Sequence, residues 1–309
     1  MKTPVSFQLF GIFGYPLAHT LSPDMHEAGF RALGIDANYI VLELDPAGFR
    51  NAMRHIKTSQ LSGFNVTVPY KEVVLKFLDQ VSPEARAIGA VNTVCKRGNR
   101  WVGTNTDMEG FLISLSREGR FCPRNKKAVV LGAGGASRAV TYGLCSRGIK
   151  KLSVVDAVPG KAGKIVRDFQ KTFKGTECVP LQAGNPEIAS LISQADLVVN
   201  ATPLGLKKGD PLPVPVEWIP TARKRGKVSR GRLVSRKDGA PKLFMDLVYN
   251  PVETAFLAAA KKRGHRTLNG SGMLLYQGVR AFECWTRRKA PVSVMRGALM
   301  KKIRLKGGT

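Results

Sequence analysis

The run Ala128-Val-Val-Leu131, followed at once by Gly132-Ala-Gly-Gly-Ala136, limits what this chain can fold into more than any other stretch. Four apolar residues without alternation suit a parallel strand covered on both faces. Behind the glycines, Ala136, Ala139, Val140, Gly143 and Leu144 recur at helical spacing, and Gly148 stops the pattern before a second apolar run, Leu152 to Val155. Strand, glycine turn, helix and strand make one βαβ unit. Gly132 permits the tight turn, Gly134 lets the backbone approach a pyrophosphate, and the free N–H groups around Gly135 and Ala136 face that anion. Ser137 stands where a third glycine is usual, so the fingerprint is a variant. Asp156 ends the second strand, where an acidic side chain takes the ribose hydroxyls of a dinucleotide.

The rest of the composition narrows the class. A chain of 309 residues, 43% hydrophobic and 23% charged, has the make-up of a globular protein of one large or two ordinary domains. No apolar run reaches the length of a membrane span, and no targeting segment is evident. Cys95, Cys122, Cys145, Cys178 and Cys284 are odd in number and scattered without a C-x-x-C, which argues against a disulfide framework and a zinc site and points to a reducing cytoplasm. His19, His26, His55 and His265 lack ligand spacing, so no metal is expected. The net charge of +27 raises nucleic-acid binding. Its concentrations, Arg223 to Lys242 and the tail from Arg287 to Lys306, interleave no aromatics and accompany no helix-turn-helix or finger signature, so they read as solvated surface, with anionic small molecules accounting for part of the charge.

From the N-terminus, Gln8 to Phe13 reads as a strand, and a helix begins with Ser22 as N-cap and Pro23 in its first turn, closing at Gly34. Tyr39 to Leu44 is a strand, Phe49 to Ile56 a helix, and Gly63 to Val68 a strand delivering Lys71 to the start of a further helix. Ala90 to Lys96 and Trp101 to Thr104 form a hairpin that leads through Asn105-Thr-Asp107 into a helix. Later, Asp196 to Asn200 and Phe244 to Val248 read as strands. Arg223 to Lys242 is expected as a long surface loop, and Met273 to Trp285 as a helix returning to the first domain. Ligands in open parallel sheets sit at the carboxyl ends of strands, which makes Thr202 and Leu204 candidate cofactor contacts. Gln277 on the apolar stripe of the final helix, taken alone, reads as a satisfied buried amide.

Seven stretches then speak together: Gly14-Tyr-Pro-Leu-Ala-His-Thr-Leu-Ser-Pro23, Asn65-Val-Thr-Val-Pro-Tyr-Lys71, Gly89-Ala-Val-Asn-Thr93, Asn105-Thr-Asp107, Gly132-Ala-Gly-Gly-Ala136, Asn200-Ala-Thr-Pro-Leu-Gly205 and Gly270-Ser-Gly-Met-Leu-Leu-Tyr-Gln277. In that order and spacing they resemble the shikimate dehydrogenase family over nearly the whole chain. The resemblance implies a two-domain α/β fold: an α/β substrate-binding domain from residues 1–107, a Rossmann-like NAD(P)-binding domain over 108–268, and a C-terminal helix returning to the substrate domain with a basic tail over 269–309. The active site would lie in the cleft. The implied reaction is the interconversion of 3-dehydroshikimate and shikimate in the cytoplasm, within aromatic amino acid (chorismate) biosynthesis.

Carried over position by position, the resemblance makes Lys71 and Asp107 the catalytic pair. An ammonium supplies both a proton and favourable charge to a ketone oxygen becoming an alkoxide. Thr20, Ser22 and the phenol of Tyr249 fall where the substrate carboxylate is received. Thr67, Asn92 and Gln277 fall around the ring hydroxyls. Gly132, Ala133, Gly134, Gly135, Ala136, Asp156, Lys161, Thr202, Leu204, Val248 and Gly270 are the expected cofactor contacts. His19 reads as structural. Thr20 departs from the commoner serine, which keeps quinate open as a second substrate and an NAD-dependent quinate/shikimate dehydrogenase as the alternative. The stretch Asp156-Ala-Val158 replaces the Asn-Arg-Thr-like run of NADP users, so Asp156 favours NAD, whereas Lys161 and Lys164 keep NADP open. A regulatory or nucleic-acid-binding protein on the same scaffold is the remote alternative, and a homodimer is left open.

Overall fold

The computed structural model describes residues 7–18, 20–222 and 239–307. Two compact units emerge, one built from residues 1–111 and 273–309, the other from Leu112–Gly272. In the first unit, β1 (Gln8–Gly14), α1 (Ser22–Ala32), β2 (Ala37–Glu43), α2 (Pro46–Arg54) and β3 (Leu61–Val66) alternate. Then come β4 (Gln80–Val81), α3 (Pro83–Ile88), β5 (Thr93–Arg97), β6 (Arg100–Thr104) and α4 (Asp107–Arg117). Its sheet runs β2-β1-β3-β5-β6-β4, parallel from β2 to β3 and antiparallel from β3 through β5 to β6. Local chemistry sets the helix ends: Asp45 Oδ1 accepts from Gly48 N at 2.7 Å to cap α2, and Ser82 Oγ accepts from Ala85 N at 3.2 Å to cap α3. Gly89, at φ +74°, ends α3 in the left-handed conformation that glycine adopts without steric cost.

The second unit contains β7 (Lys127–Leu131), α5 (Gly135–Ser146), β8 (Lys151–Asp156), α6 (Lys161–Gln170), β9 (Glu177–Gln182) and α7 (Glu187–Gln194). It continues with β10 (Leu197–Asn200), β11 (Leu243–Asp246), α8 (Ala255–Lys262) and β12 (Arg266–Leu268). All neighbours are parallel, in the order β12-β11-β10-β7-β8-β9. Counted from β7 this is the 3-2-1-4-5-6 order of a doubly wound dinucleotide fold, with its reversal between β7 and β10. Residues 128–131 and 197–200 are fully buried, as strands covered on both faces must be.

The chain closes with α9 (Ser271–Thr286) and α10 (Val292–Gly307). The division between units falls inside α4 and α9, after Phe111 and Gly272, where the sequence suggested breaks after Asp107 and Leu268.

Several expectations are corrected. The basic tail forms α10, because Met295, Leu299 and Ile303 recur every four residues and bury an apolar stripe that its lysines and arginines had masked. Ser22 is the first residue of α1, with Leu21 in the cap position. Lys71 precedes a short 3₁₀ turn, Val73–Phe77, instead of opening an α-helix. Lys242 is buried, and its Nζ donates to the carbonyls of Ser193 and Ala195 at 2.6 and 2.8 Å, satisfying the end of α7 where a surface loop had been expected. Residues 223–238 of that basic stretch, and His19, lie outside the described residues. Cys95 on β5 and Cys284 on α9 form a disulfide, against the expectation of unpaired thiols: two elements 189 residues apart in sequence are neighbours in space. Among the described residues, no helix is long and apolar enough to cross a membrane.

Candidate active site

Lys71 reaches its place through a stiff neighbour. Tyr70 stacks on Phe49 at 4.0 Å and donates its phenol to the Leu44 carbonyl at 2.5 Å, while Val91 N donates to the Lys71 carbonyl at 2.8 Å. The ammonium then donates to Asp107 Oδ2 at 2.7 Å, with the two side chains 12% and 6% exposed. Asp107 begins α4, so its carboxylate sits at the positive end of a helix. Asn105 fixes that start, accepting from Met108 N at 3.2 Å and donating to the Ala90 carbonyl at 2.9 Å.

Asn92 connects the pair to its surroundings. Its Nδ2 faces Asp107 Oδ1 at 2.9 Å, Thr106 Oγ1 at 3.0 Å and Gln277 Oε1 at 3.3 Å, while its Oδ1 accepts from Thr106 N at 2.7 Å. Gln277 arrives from the far end of the chain because α9 crosses α4 closely: a Cβ on Gly110 would stand 2.6 Å from Gln277 N and 2.8 Å from the Met273 carbonyl. Lys71, Asp107, Asn92 and Gln277 are therefore one hydrogen-bonded set. Thr67, half-buried, is held by Thr67 N donating to the Phe13 carbonyl at 2.8 Å. Thr20 accepts weakly from Ser22 N at 3.4 Å, and Ser22 is buried.

The second unit carries the other candidates. Gly132 has φ +102°, and a Cβ there would lie 2.9 Å from the Ala201 carbonyl, so both conformation and close approach require glycine. Gly134 differs. It precedes α5 in an extended conformation, is exposed, and a Cβ there meets nothing within 4 Å among the described residues. That open cradle at the N-terminus of a 12-residue helix fits the pyrophosphate of a dinucleotide. Asp156 Oδ2 accepts from Ala133 N at 2.6 Å and Oδ1 from Val158 N at 2.7 Å, so one carboxylate braces the glycine turn and its own. Gly135 and Ala136 open α5 half-buried, and Lys161 opens α6 exposed.

Burial pushes the Tyr249 phenol up from its ordinary value. Val248 is buried, and Gly270 N donates to its carbonyl at 3.1 Å. A Cβ at Gly270 would collide with the Leu247 backbone, so this glycine serves chain packing.

Sequence reasoning named Thr202 and Leu204 as cofactor contacts but passed over Asp246 and Thr254, which complete a second polar set at the ends of β10 and β11. Asn200 Oδ1 accepts from Thr202 Oγ1 at 2.6 Å, and its Nδ2 donates to the Leu204 carbonyl at 3.0 Å and Asp246 Oδ1 at 2.9 Å. Thr254 Oγ1 donates to Asp246 Oδ2 at 2.6 Å. Burial nevertheless pushes the Asp246 carboxyl up to about 6. The available signal was polarity at the end of two fully apolar strands.

A doubly wound parallel sheet with a phosphate-sized glycine turn, together with a unit that buries a lysine–aspartate pair among amides, defines an NAD(P)-dependent oxidoreductase acting on a CH–OH group. The chain belongs to the shikimate dehydrogenase family. Residues 12–94 match the family model for the shikimate dehydrogenase substrate binding domain, and residues 270–300 that for the shikimate 5'-dehydrogenase C-terminal domain. It is 39% identical over 299 residues to the shikimate dehydrogenase (NADP(+)) of Desulforamulus reducens, covering 96% of both chains. Among solved structures it resembles shikimate dehydrogenase from Aquifex aeolicus, with TM-score 0.79, 33% identity and coverage of 95% and 97%. It also resembles quinate dehydrogenase from Corynebacterium glutamicum in complex with NAD, with TM-score 0.80, 31% identity and coverage of 96% and 99%.

Proposed function

We propose that this protein catalyses the reversible NAD(P)H-dependent reduction of 3-dehydroshikimate to shikimate, with Lys71 as proton donor and Asp107 as the group that orients it. The buried 2.7 Å contact between them carries the reading. When bound, the nicotinamide supplies or accepts the hydride. Lys71 gives its proton to the carbonyl oxygen as negative charge develops there, and its remaining positive charge before transfer lowers the barrier. Asp107 holds the ammonium through Oδ2 and is itself held by Asn92 through Oδ1. Thr67, Asn92 and Gln277 receive the ring hydroxyls, and Thr20, Ser22 and Tyr249 the carboxylate. The first unit is the substrate domain in this reading, and the second binds the dinucleotide through residues 132–136, Asp156, Thr202, Leu204 and Val248.

The cofactor preferred is NAD. Asp156 places a fixed negative charge at the end of β8, where the 2′-phosphate of NADP would bring nearly two more. Lys161 and Lys164 are exposed and each offset less than about 1 kcal/mol. A net preference of about tenfold in kcat/KM follows, equivalent to about 1.4 kcal/mol. Steady-state rates with shikimate and quinate, each with NAD and NADP, test the whole reading. Turnover of shikimate with NAD ahead is expected. Turnover of quinate alone would move the assignment to the quinate enzymes, and NADP ahead would remove Asp156 as the discriminator.

A further inference from the structure

We infer that Tyr39, which lies in none of the motifs above, is a positioning residue that acts through Asn65 to hold the Lys71–Asp107 pair in place. This rests on the reading of Lys71 and Asp107 as acid and orienter. Tyr39 is buried on β2 between half-exposed and exposed positions. Its ring lies parallel to His26 at 4.8 Å and tilted against Trp285 at 6.1 Å, so the ring is held from two sides. Phenylalanine would fill that space equally well. What tyrosine adds is one hydroxyl, and the hydroxyl is engaged.

The Tyr39 phenol donates to Asn65 Oδ1 at 2.7 Å. Asn65 is itself buried on β3 between Phe64 and Val66, where an unpaired amide would be costly. With its oxygen committed to Tyr39, its Nδ2 points the other way and donates to the Asn92 carbonyl and to Thr93 Oγ1, both at 3.0 Å. Thr93 Oγ1 in turn donates to Asn92 Oδ1 at 3.2 Å, which leaves Asn92 Nδ2 to donate to Asp107 Oδ1, and Asp107 Oδ2 takes the Lys71 ammonium. Phenol, amide, threonine hydroxyl, amide, carboxylate and ammonium thus form one chain, and the direction of each bond fixes the next. Thr93 Oγ1 and Thr106 Oγ1, 3.0 Å apart, close it laterally. Buried networks of this kind hold a reacting group in one geometry because every alternative leaves a polar atom unpaired.

The test is Tyr39→Phe in the full chain, which keeps the ring and removes the hydroxyl. The melting temperature should stay within a few degrees, while kcat for shikimate oxidation falls about tenfold and KM for shikimate rises several-fold, as expected for a misaligned reacting group. KM for the cofactor should not move. Asn65→Ala breaks the next link, and the Tyr39→Phe/Asn65→Ala double variant should be no worse than the poorer single one. Unchanged kinetics in Tyr39→Phe, losses that multiply in the double variant, or a lower melting temperature with normal turnover per folded molecule would each overturn the inference. Lys71→Ala run in parallel separates the two levels. An active Lys71→Ala enzyme removes the catalytic reading and this one with it, whereas an inactive one beside a normal Tyr39→Phe enzyme overturns the role of Tyr39 alone.

Discussion

The Lys71 ammonium donates to Asp107 Oδ2 at 2.7 Å while Asn92 holds the other carboxylate oxygen at 2.9 Å, so the proton donor is oriented from behind by two residues of different segments. Lys71→Ala removes the acid and the charge at the developing oxyanion together, and kcat should fall by about 10³-fold or more with little change in substrate affinity. Asp107→Asn keeps the shape and loses the counter-charge of a buried ammonium, so both kcat and stability should suffer, stability by roughly 3 kcal/mol. Single-turnover rates and urea midpoints on both variants check this, and a Lys71→Ala enzyme with ordinary turnover would exclude Lys71 as the acid.

Gly132 and Gly134 are separable although they stand two residues apart. Among the described residues, chain neighbours aside, a Cβ at Gly134 meets nothing within 4 Å, so the melting temperature of Gly134→Ala should match the parent. Its new methyl would occupy the place of the pyrophosphate, raising the cofactor KM about tenfold or more. Gly132→Ala should instead destabilise the protein, since φ is +102° and the Ala201 carbonyl lies 2.9 Å from the new Cβ. Thermal melts with and without NAD distinguish the two, and equal destabilisation would mean that Gly134 is structural.

That contrast shows what was legible in the sequence. An apolar strand and its glycine turn are local, so residues 128–136 announce their fold directly. Lys71, Asp107, Asn92 and Gln277 were reached through motif resemblance, because three long sequence separations lie between them and no local pattern encodes such contacts. Tyr39 was missed for a related reason, and Asn65, although it opens one of the seven motifs, was given no role: a tyrosine and an asparagine on apolar strands look like filler until their partners are known. The tail was misread because bases outnumber Met295, Leu299 and Ile303 in composition, although spacing identifies the stripe.

His26 is buried in the aromatic cluster, and among the described residues neither ring nitrogen has a partner. Burial pushes its pKa down to about 3. The unfolded chain therefore takes up a proton below its own value of 6.5 that the folded chain refuses, and stability is lost as pH falls from about 6.5 toward 3. At pH 5 the loss from this residue is roughly 2 kcal/mol. Asp246, raised to about 6, acts oppositely by favouring the folded state on the acid side of that value, so the comparison must be made between variants. His26→Phe should lose less stability than the parent between pH 7.5 and 5, measured by urea unfolding. Equal slopes would show that His26 is protonated in the fold.

The Cys95–Cys284 disulfide closes 189 residues. Cross-linking so long a loop removes many conformations from the unfolded chain, and its reduction should cost roughly 2–5 kcal/mol. Adding a phosphine reductant should lower the melting temperature of the parent and leave a Cys95→Ser/Cys284→Ser variant unmoved. No response in the parent would mean that the two thiols are unpaired in solution.

The first unit is assembled from both ends of the polypeptide, and this bears on how the protein is made. Trp285 covers Gly63, and Phe282 stacks on Phe30, yet both aromatics are translated after the whole of Leu112–Gly272. At ordinary synthesis rates the delay is roughly ten to thirty seconds. Through that interval the nascent N-terminal segment displays Phe10 of β1, Phe30 of α1 and Tyr39 of β2 without their eventual cover. The inserted unit, whose strands are contiguous in the chain, is free to fold on the ribosome first, while the segment bearing Lys71 waits for the last helices to arrive.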